Sequence, residues 1–439
     1  MRDLNHNLIE LTDSYKASHW LQYPPRTESV ASYFEARTGE AIVFFGLQYI
    51  LKRYLEGEVV HAEDVEASRG LFQDHMGVFN LEGWQHIVSE HAGCLPLQIK
   101  ALPEGSVVSA HTPLFTVRNT CPRDYWLTSY VETLLDQVWY PSTVASKSRA
   151  AKRVILDYLD KTGDPTLVDF KLHDFGARGV SSMESAAIGG AAHLVNFKGT
   201  DTVPALRLLR DYYQEDMAGF SIPAAEHSTI TAWGRERELD AYANMLDQFP
   251  DGLVAVVSDS YDVLRATRDF WGKDLRGKVL SRDGTLVVRP DPGPPAATTL
   301  DVVEALGEAY GSERNARGYR VLDSHIRVIW GDGLVLDTIA EILAALEQSG
   351  WSADNITFGM GGGLLQRVHR DEFGFSYKAY EAVVDGRRRF IGKTPAGDTA
   401  KNSRLEGLDE TGMRTVFLDG RLENEGVFED VRRLAAIGM

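Results

Sequence analysis

The stretch LVAVVSDSYD, Leu253–Asp262, shows the pattern that decides the fold. A short apolar run rich in valine ends at a polar turn that carries Asp259, and a helical pattern follows it. Valine favours strands, and a short continuous apolar run is typical of a strand that is buried on both faces. The stretch therefore predicts a buried strand with Asp259 at its carboxyl end.

The same pattern recurs from about residue 165 onward. Short apolar runs are each followed by a polar, often glycine-rich turn and then a helical pattern, at 167–179, 192–201, 220–228, 253–262, 285–293, 326–333 and 355–363. Strands that alternate with helices favour a parallel sheet with crossover connections. This number of units predicts a closed or nearly closed (β/α) barrel at 161–380, with its active site at the carboxyl ends of the strands.

The two ends of the chain have a different character. Residues 97–120 and 376–394 alternate apolar and polar side chains, which predicts antiparallel strands. We expect the C-terminal strands to pair with those of the first part. The second domain would then be a discontinuous α/β domain built from 1–160 together with 381–439.

Composition narrows the class of protein. The 439 residues carry a formal net charge of −17, which disfavours nonspecific binding to nucleic acid or to anionic membranes. The two cysteines, Cys94 and Cys121, form no CxxC motif, and reduced thiols are the expected state. The N-terminus lacks the apolar segment of a signal peptide, and no apolar run is long enough to span a bilayer. A cytoplasmic location is expected.

The stretch FGMGGGLLQ, residues 358–366, predicts an anion site. Glycines let backbone N–H groups approach a phosphate closely, and the dipole of a following helix would add to the attraction. Late loops of such barrels commonly bind phosphate, and Arg370 and Lys378 follow close behind. The alternative is a tight turn that merely needs glycine.

Other strand ends carry residues suited to a sugar and a flat ring. Asp259, Asp291 and Asp332 can bind sugar hydroxyls or hold Mg²⁺ directly or through water, although each can also cap a helix. Phe175 can stack on a planar substrate or belong to the core. Asp201 can accept hydrogen bonds from an amide and would repel a carboxylate.

His227 stands beside Glu226 at the end of another run. The imidazole can be a structural group, a general base, or a nucleophile that accepts a phosphoryl group. Neighbouring residues on a strand point to opposite faces, so Glu226 need not touch His227.

Long motifs in this order resemble those of the nicotinamide phosphoribosyltransferases. They are LTDSYKASHWLQYPP, SYFEAR, FFGLQYIL, HDFGARGVSSMESAAIGGAAHLVNFKGTDTVPAL, IPAAEHSTITAWG, VVSDSYD, VVRPDPG, WGDG and FGMGGGLLQ. The resemblance implies the irregular (β/α) barrel of the type II phosphoribosyltransferases and a homodimer with shared active sites. It also implies transfer of phosphoribosyl from phosphoribosyl pyrophosphate (PRPP) to nicotinamide, with Mg²⁺, and with ATP hydrolysis coupled through a phosphohistidine.

Roles for individual residues follow from the same resemblance. Phe175 would stack on the nicotinamide ring, Tyr15 of the neighbouring subunit on its other face, and Asp201 would bind the carboxamide. His227 would be the phosphorylated histidine, and Asp259 and Asp291 would be catalytic acidic residues around the ribose and the pyridine. The remaining matches are the pocket arginines Arg178 and Arg289, the ribose-site Gly331 and Asp332, the 5′-phosphate-site Gly361 and Gly362, the phosphate ligands Arg370, Ser376 and Lys378, and the pyrophosphate-side Arg37, Lys393 and Lys401.

Two other functions compete with this one. A nicotinate phosphoribosyltransferase would share the fold, but its acid substrate would face the like charge of Asp201. A catalytically silent binding protein on the same scaffold would have no need of His227, Asp201, Phe175 and the glycine loop.

Overall fold

A computed structural model of the chain describes residues 7–291, 293–393 and 407–439. The chain divides into two compact units, each built from separate stretches of sequence. Unit 1 comprises Met1–Ser146, Asp211–Glu215 and His369–Gly438, and unit 2 comprises Lys147–Arg210 and Asp216–Val368. The domain bounds given above, at 160 and 381, stay a prediction.

The strands of the described residues are β1 Thr27–Glu35, β2 Ile42–Val43, β3 Leu97–Ala101, β4 Val107–Val108, β5 Pro113–Asn119, β6 Leu172–Asp174, β7 Gly199–Thr200, β8 Val254–Val257, β9 Leu286–Arg289, β10 Ser312–Arg314, β11 Arg320–Leu322, β12 Ile326–Trp330, β13 Ile356–Met360, β14 Ser376–Val384, β15 Arg387–Phe390, β16 Arg414–Leu418 and β17 Arg421–Leu422.

The α-helices of the same residues are α1 Leu47–Ile50, α2 Ala62–Met76, α3 Leu81–Glu90, α4 Leu127–Tyr130, α5 Glu132–Leu135, α6 Trp139–Thr162, α7 Met183–Leu194, α8 Val203–Tyr213, α9 His227–Thr231, α10 Glu238–Gln248, α11 Val263–Arg265, α12 Arg276–Leu280, α13 Pro295–Tyr310, α14 Leu336–Gln348, α15 Gly362–Leu365 and α16 Phe428–Ala435. None of these helices is both long enough and apolar enough for a bilayer crossing.

Unit 1 contains an antiparallel sheet in the order β15-β14-β1-β5-β3-β16-β17. Strand β1 pairs with β14 over the register from Thr27↔Val384 to Glu35↔Ser376, and β16 pairs with β3. The predicted pairing between the two chain ends is therefore confirmed. Aromatic side chains fill the core beneath the sheet, where the ring of Phe34 stacks on Phe115 and on Phe375 with centroids 4.8 and 5.3 Å apart.

Unit 2 contains six parallel strands in the order β7-β6-β13-β12-β9-β8. The segment 220–225 lies between the two outer strands. Its Phe220 N–H donates to Lys198 O at 2.7 Å, and its Ala225 N–H donates to Ala255 O at 2.9 Å. Because these bonds join β7 to β8 through the segment, the sheet closes on itself, and the predicted barrel is confirmed.

The closing segment is not a regular strand. Single parallel bridges, Gly199↔Phe220 and Ala224↔Ala255, hold it to its two neighbours. Pro223 has no N–H to give to a ladder, so a continuous strand cannot form here. Inside the barrel, Ala255, Val287 and Ile329 form an apolar cluster on which other side chains of the barrel pack.

Candidate active site

The carboxyl ends of the barrel strands carry the residues that the sequence indicated. In chain order, Phe175 follows β6, Asp201 follows β7, Asp259 and Asp291 follow β8 and β9, Gly331 and Asp332 follow β12, and Gly361 follows β13. His227 follows the closing segment and begins α9. In a barrel of parallel strands these ends meet at one edge.

The ring of Phe175 lies directly on the neighbouring strand β13. A Cβ atom built on Gly359 would come within 1.9 Å of Phe175 Cε2, and one built on Gly331 would lie 3.4 Å from the same atom. The Phe175 N–H donates to Met360 O at 3.0 Å, which fixes the backbone of this turn. The side chain is half-buried and packs against the apolar cluster inside the barrel. Its position therefore depends on the absence of a side chain at residue 359.

A cavity of about 520 Å³ is lined by Phe175 and by Asp201. Its other lining residues include Lys171 and Asp354, which come just before β6 and β13. Because the lining includes residues from both ends of the strands, the cavity runs along the barrel interior. A volume of this size suits a small planar ligand with a substituent.

Asp201 gives this cavity a carboxylate. Its Oδ1 accepts a hydrogen bond from Ser221 Oγ, and its backbone N–H donates to Asp174 O at 2.9 Å. Nearby, burial lowers the pKa of His173, although the charge of Asp201 counteracts this shift, so the imidazole is neutral near pH 7. Asp201 is exposed, which leaves its Oδ2 able to accept a further hydrogen bond.

Asp174, which no sequence pattern indicated, holds the turn that follows β6. Its side chain is fully buried, and Oδ1 accepts a hydrogen bond from Gly176 N–H at 2.7 Å. Burial raises the pKa of Asp174 to about 6, and the charge of Asp201 adds to the rise. Asp174 therefore positions the backbone that carries Phe175.

His227 pairs with Asp259 and not with its chain neighbour. Its Nε2 lies 3.1 Å from Asp259 Oδ1, and the histidine side chain is 47% exposed whereas the aspartate is 4% exposed. Burial raises the pKa of Asp259; the His227 imidazole opposes this rise and Asp291 adds to it. Glu226 instead caps α9 together with Thr229.

Two carboxylates and one imidazole converge at this point. The side chains of His227, Asp259 and Asp291 each offer one atom, and these atoms all lie within 4.8 Å of one another. Asp291 Oδ1 also accepts a hydrogen bond from Arg289 Nη2 at 3.0 Å. The buried Arg289 Nε has no hydrogen-bond partner among the described residues.

The glycine loop after β13 is closely packed. A Cβ atom on Gly363 would come within 2.2 Å of Leu334 O, in the loop after β12, and one on Gly361 would lie 3.3 Å from Phe175 O. The helix that follows, α15, is only four residues long. The helix dipole therefore attracts an anion less strongly than the sequence predicts, because so few peptide units are aligned. Anion binding at Gly361 and Gly362 would rest on backbone N–H groups.

The other predicted site residues are distributed as follows. Arg178 is exposed on a single turn in unit 2. Unit 1 holds Tyr15, Arg37, Arg370, Ser376, Lys378 and Lys393. Lys401 lies outside the described residues.

Several of the unit 1 residues lie at one end of the β1–β14 pair. Ser376 is opposite Glu35, and Lys378 is opposite Tyr33. Arg37 Nε donates to Gly374 O at 2.8 Å. Elsewhere in unit 1, Arg370 Nη1 donates to Asp136 Oδ2 at 2.9 Å, and Tyr15 is 55% exposed.

The roles proposed for these residues toward a substrate stay predictions. The cavity also includes residues that no sequence pattern indicated, such as His173, Ser221 and Arg327, which lie on or beside the predicted strands. Period-two alternation within those strands was the only signal that could have placed them inside the barrel.

Comparison with known proteins gives concordant matches. The family described as "Nicotinate phosphoribosyltransferase (NAPRTase) family" matches residues 170–421, and "Nicotinamide phosphoribosyltransferase, N-terminal domain" matches residues 7–99. The chain is 50% identical over 404 residues to a nicotinamide phosphoribosyltransferase of Xanthomonas campestris pv. campestris, covering 91% of this chain and 86% of that one. It is 32% identical over 491 residues to one of Acinetobacter baylyi, covering 98% and 97%.

Solved structures share the fold at much lower identity. Human nicotinic acid phosphoribosyltransferase superposes with a TM-score of 0.61 at 16% identity, covering 97% of this chain and 92% of that one. The nicotinate-nucleotide pyrophosphorylase of Pyrococcus furiosus superposes with a TM-score of 0.59 at 14% identity, covering 99% and 97%. These likenesses confirm the predicted fold class.

Proposed function

The chain belongs to the nicotinamide phosphoribosyltransferase family, and from that premise we propose that it transfers phosphoribosyl from PRPP to nicotinamide in NAD salvage. The products are nicotinamide mononucleotide and pyrophosphate. One observation carries the choice of substrate: Phe175 and Asp201 line the same cavity.

These two side chains suit an aromatic amide. A flat ring can stack on Phe175, whose own ring occupies the space left by the missing side chain of Gly359. The amide NH₂ can then donate to Asp201 Oδ2, because Oδ1 already accepts from Ser221. A carboxylate in place of the amide would bring two like charges together, which favours nicotinamide over nicotinic acid.

The reaction proceeds at the edge where the strands end. The lone pair of the pyridine nitrogen forms a bond to the anomeric carbon, and the bond from that carbon to the pyrophosphate oxygen breaks with its electrons leaving on pyrophosphate. Asp332 would bind ribose hydroxyls, and the N–H groups of Gly361 and Gly362 would bind the 5′-phosphate. Placing the ring in line with the anomeric carbon is the main contribution of the cavity.

Mg²⁺ fits the donors present near this edge. The carboxylates of Asp259 and Asp291 offer oxygen atoms within 4.8 Å of each other, and Mg²⁺ prefers such ligands together with water and phosphate oxygens. When bound, the ion would neutralise charge on the leaving pyrophosphate. Arg289, with one free donor beside Asp291, would assist on the protein's side.

ATP hydrolysis would act through His227. The bond between Nε2 and Asp259 leaves Nδ1 as the nitrogen that can attack the γ-phosphorus, forming an N–P bond while the P–O bond to ADP breaks. The exposure of the imidazole allows a nucleotide to reach it. Water would later hydrolyse the phosphohistidine, and the dianion present in between would change how PRPP and pyrophosphate bind.

A homodimer would complete the site. Tyr15, more than half exposed in a 3₁₀ helix of unit 1, would supply the second stacking face to the neighbouring subunit. Arg370, Ser376 and Lys378 would add phosphate ligands, and a cytoplasmic location accords with this reaction.

A product assay tests the proposal. Purified protein is incubated with PRPP and Mg²⁺, and with either nicotinamide or nicotinic acid, in the presence and absence of ATP. We expect nicotinamide mononucleotide to form many times faster than nicotinic acid mononucleotide, and ATP to accelerate it. Faster consumption of nicotinic acid would assign the alternative substrate, and no product from either would favour a silent binding protein.

A further inference from the structure

Unit 1 contains a cluster of four metal-ligating side chains that the reaction does not use. His86, His91, Cys121 and Asp124 each offer one ligand atom, and these atoms all lie within 4.8 Å of one another. The set combines two imidazoles, a thiol and a carboxylate. We name these four residues the His₂CysAsp cluster.

The fold brings together two segments that are distant in sequence. His86 lies on α3, and His91 is the residue that ends this helix. Cys121 and Asp124 stand at the beginning and the end of a short 3₁₀ turn that follows β5. Asn119 Nδ2 donates to Cys121 O at 2.8 Å and so fixes the start of the turn.

Two distances in the cluster are close to those around a four-coordinate ion. His86 Nδ1 lies 3.2 Å from Asp124 Oδ1, and His91 Nε2 lies 3.3 Å from Asp124 Oδ2. Ligand atoms bonded to zinc at about 2.0–2.3 Å in a tetrahedron are roughly 3.3–3.8 Å apart. The two imidazole rings, with centroids 5.2 Å apart and planes inclined at 73°, approach the carboxylate from different directions.

Hydrogen bonds alone do not satisfy this cluster. Asp124 is fully buried, yet its Oδ2 has no hydrogen-bond partner among the described residues, and neither has His91 Nε2. The two atoms are 3.3 Å apart but are not aligned as donor and acceptor. Buried polar atoms without a partner are costly and rare, so a bound cation would account for both.

We propose that His86, His91, Cys121 and Asp124 bind one Zn²⁺ ion in a closed structural site. Thiolate and imidazole ligands favour zinc over Mg²⁺ or Ca²⁺. A neighbouring cavity of about 420 Å³, lined by His91 and Cys121, gives the ion a route of entry. Bound there, zinc would tie the end of α3 to the turn after β5.

Cobalt titration of the full chain tests the site. The protein is stripped with a chelator and titrated with Co²⁺, which takes the place of zinc. We expect one equivalent to produce a thiolate-to-cobalt charge-transfer band and the visible bands of a four-coordinate ion, both abolished by added Zn²⁺. Cobalt held by His227, Asp259 and Asp291 cannot produce the thiolate band, so the two clusters are distinguished.

Two cysteine variants make the result decisive. Cys121→Ser should lose the charge-transfer band, and Zn²⁺ should no longer raise its melting temperature. Cys94→Ser is the matched control, because Cys94 lines the same cavity but lies outside the cluster, and it should keep both effects. The proposal is overturned if the unsubstituted chain gives no stoichiometric band, or if Cys121→Ser retains it.

Discussion

The ring of Phe175 occupies the space that a side chain at Gly359 would need. A Cβ atom at this glycine would lie 1.9 Å from Phe175 Cε2, far inside van der Waals contact. The absence of a side chain at Gly359 on β13 therefore leaves room for the ring of Phe175, the residue that follows β6.

Gly359→Ala should displace this ring. We expect KM for nicotinamide to rise about tenfold or more, since an added methyl group in a packed site costs about 1–3 kcal/mol. Steady-state kinetics at saturating PRPP measures it. Gly277→Ala is the control, because nothing lies within 4 Å of a Cβ atom there. Equal kinetics for the two variants would contradict this account of the ring.

Asp201→Asn should relax the choice between the two pyridine substrates. Removing the charge should raise kcat/KM for nicotinic acid relative to nicotinamide by about fivefold or more, because two like charges about 4 Å apart repel by about 1 kcal/mol even in water. Competition between the two substrates in one reaction measures the ratio. An unchanged ratio would mean that Asp201 does not face the amide.

His227→Ala should abolish the coupling to ATP. We expect the ratio of turnover with ATP to turnover without it to fall to about one, and no acid-labile phosphate to appear on the protein. His325→Ala is the matched control, since His325 also pairs with an aspartate, Asp323, at 2.7 Å but precedes its strand. A His227→Ala protein that keeps ATP-stimulated turnover would exclude the phosphohistidine.

Asp174→Asn should change how stability depends on pH. The folded-state pKa of about 6 exceeds the ordinary 3.8, so the native state holds a proton that the unfolded state loses, and this stability is lost as pH rises through 6. Between pH 5 and 7.5 the free energy of unfolding of the unsubstituted protein should fall by on the order of 1 kcal/mol more than that of the variant.

Urea denaturation at the two pH values measures this difference. Asparagine keeps the Oδ1 that accepts from Gly176, so the turn should remain intact. Parallel pH dependence in the two proteins would show that Asp174 is ionised throughout this range.

The barrel could be predicted because each of its strands is buried and ends at a polar turn. The closing segment, 220–225, is the exception. Its apolar pattern predicts a strand, but Pro223 interrupts the hydrogen-bond ladder and the segment forms only single bridges. The helix predicted after the glycine loop, α15, is only four residues long. Both differences arise where local backbone chemistry overrides the apolar pattern.

Contacts between side chains of distant segments could not be predicted from the sequence. Glu226 adjoins His227 in the chain but caps a helix, whereas Asp259, from the next strand, makes the hydrogen bond. Cys121 shows no metal-ligand spacing in the chain, and only the packing of α3 against the turn after β5 brings it to His86 and His91. Such pairs are set by the fold and leave no periodicity to detect.

The pairing of β1 with β14 has a consequence for synthesis of the protein. The edge of β1 that begins at Thr27 is covered only after the ribosome has made its partner strand, which ends at Val384. At about 5–20 residues per second, the ribosome needs roughly 20–70 seconds to make the intervening chain. Throughout that interval β1 offers an open edge to other nascent chains, which makes this strand the natural place for a chaperone to act.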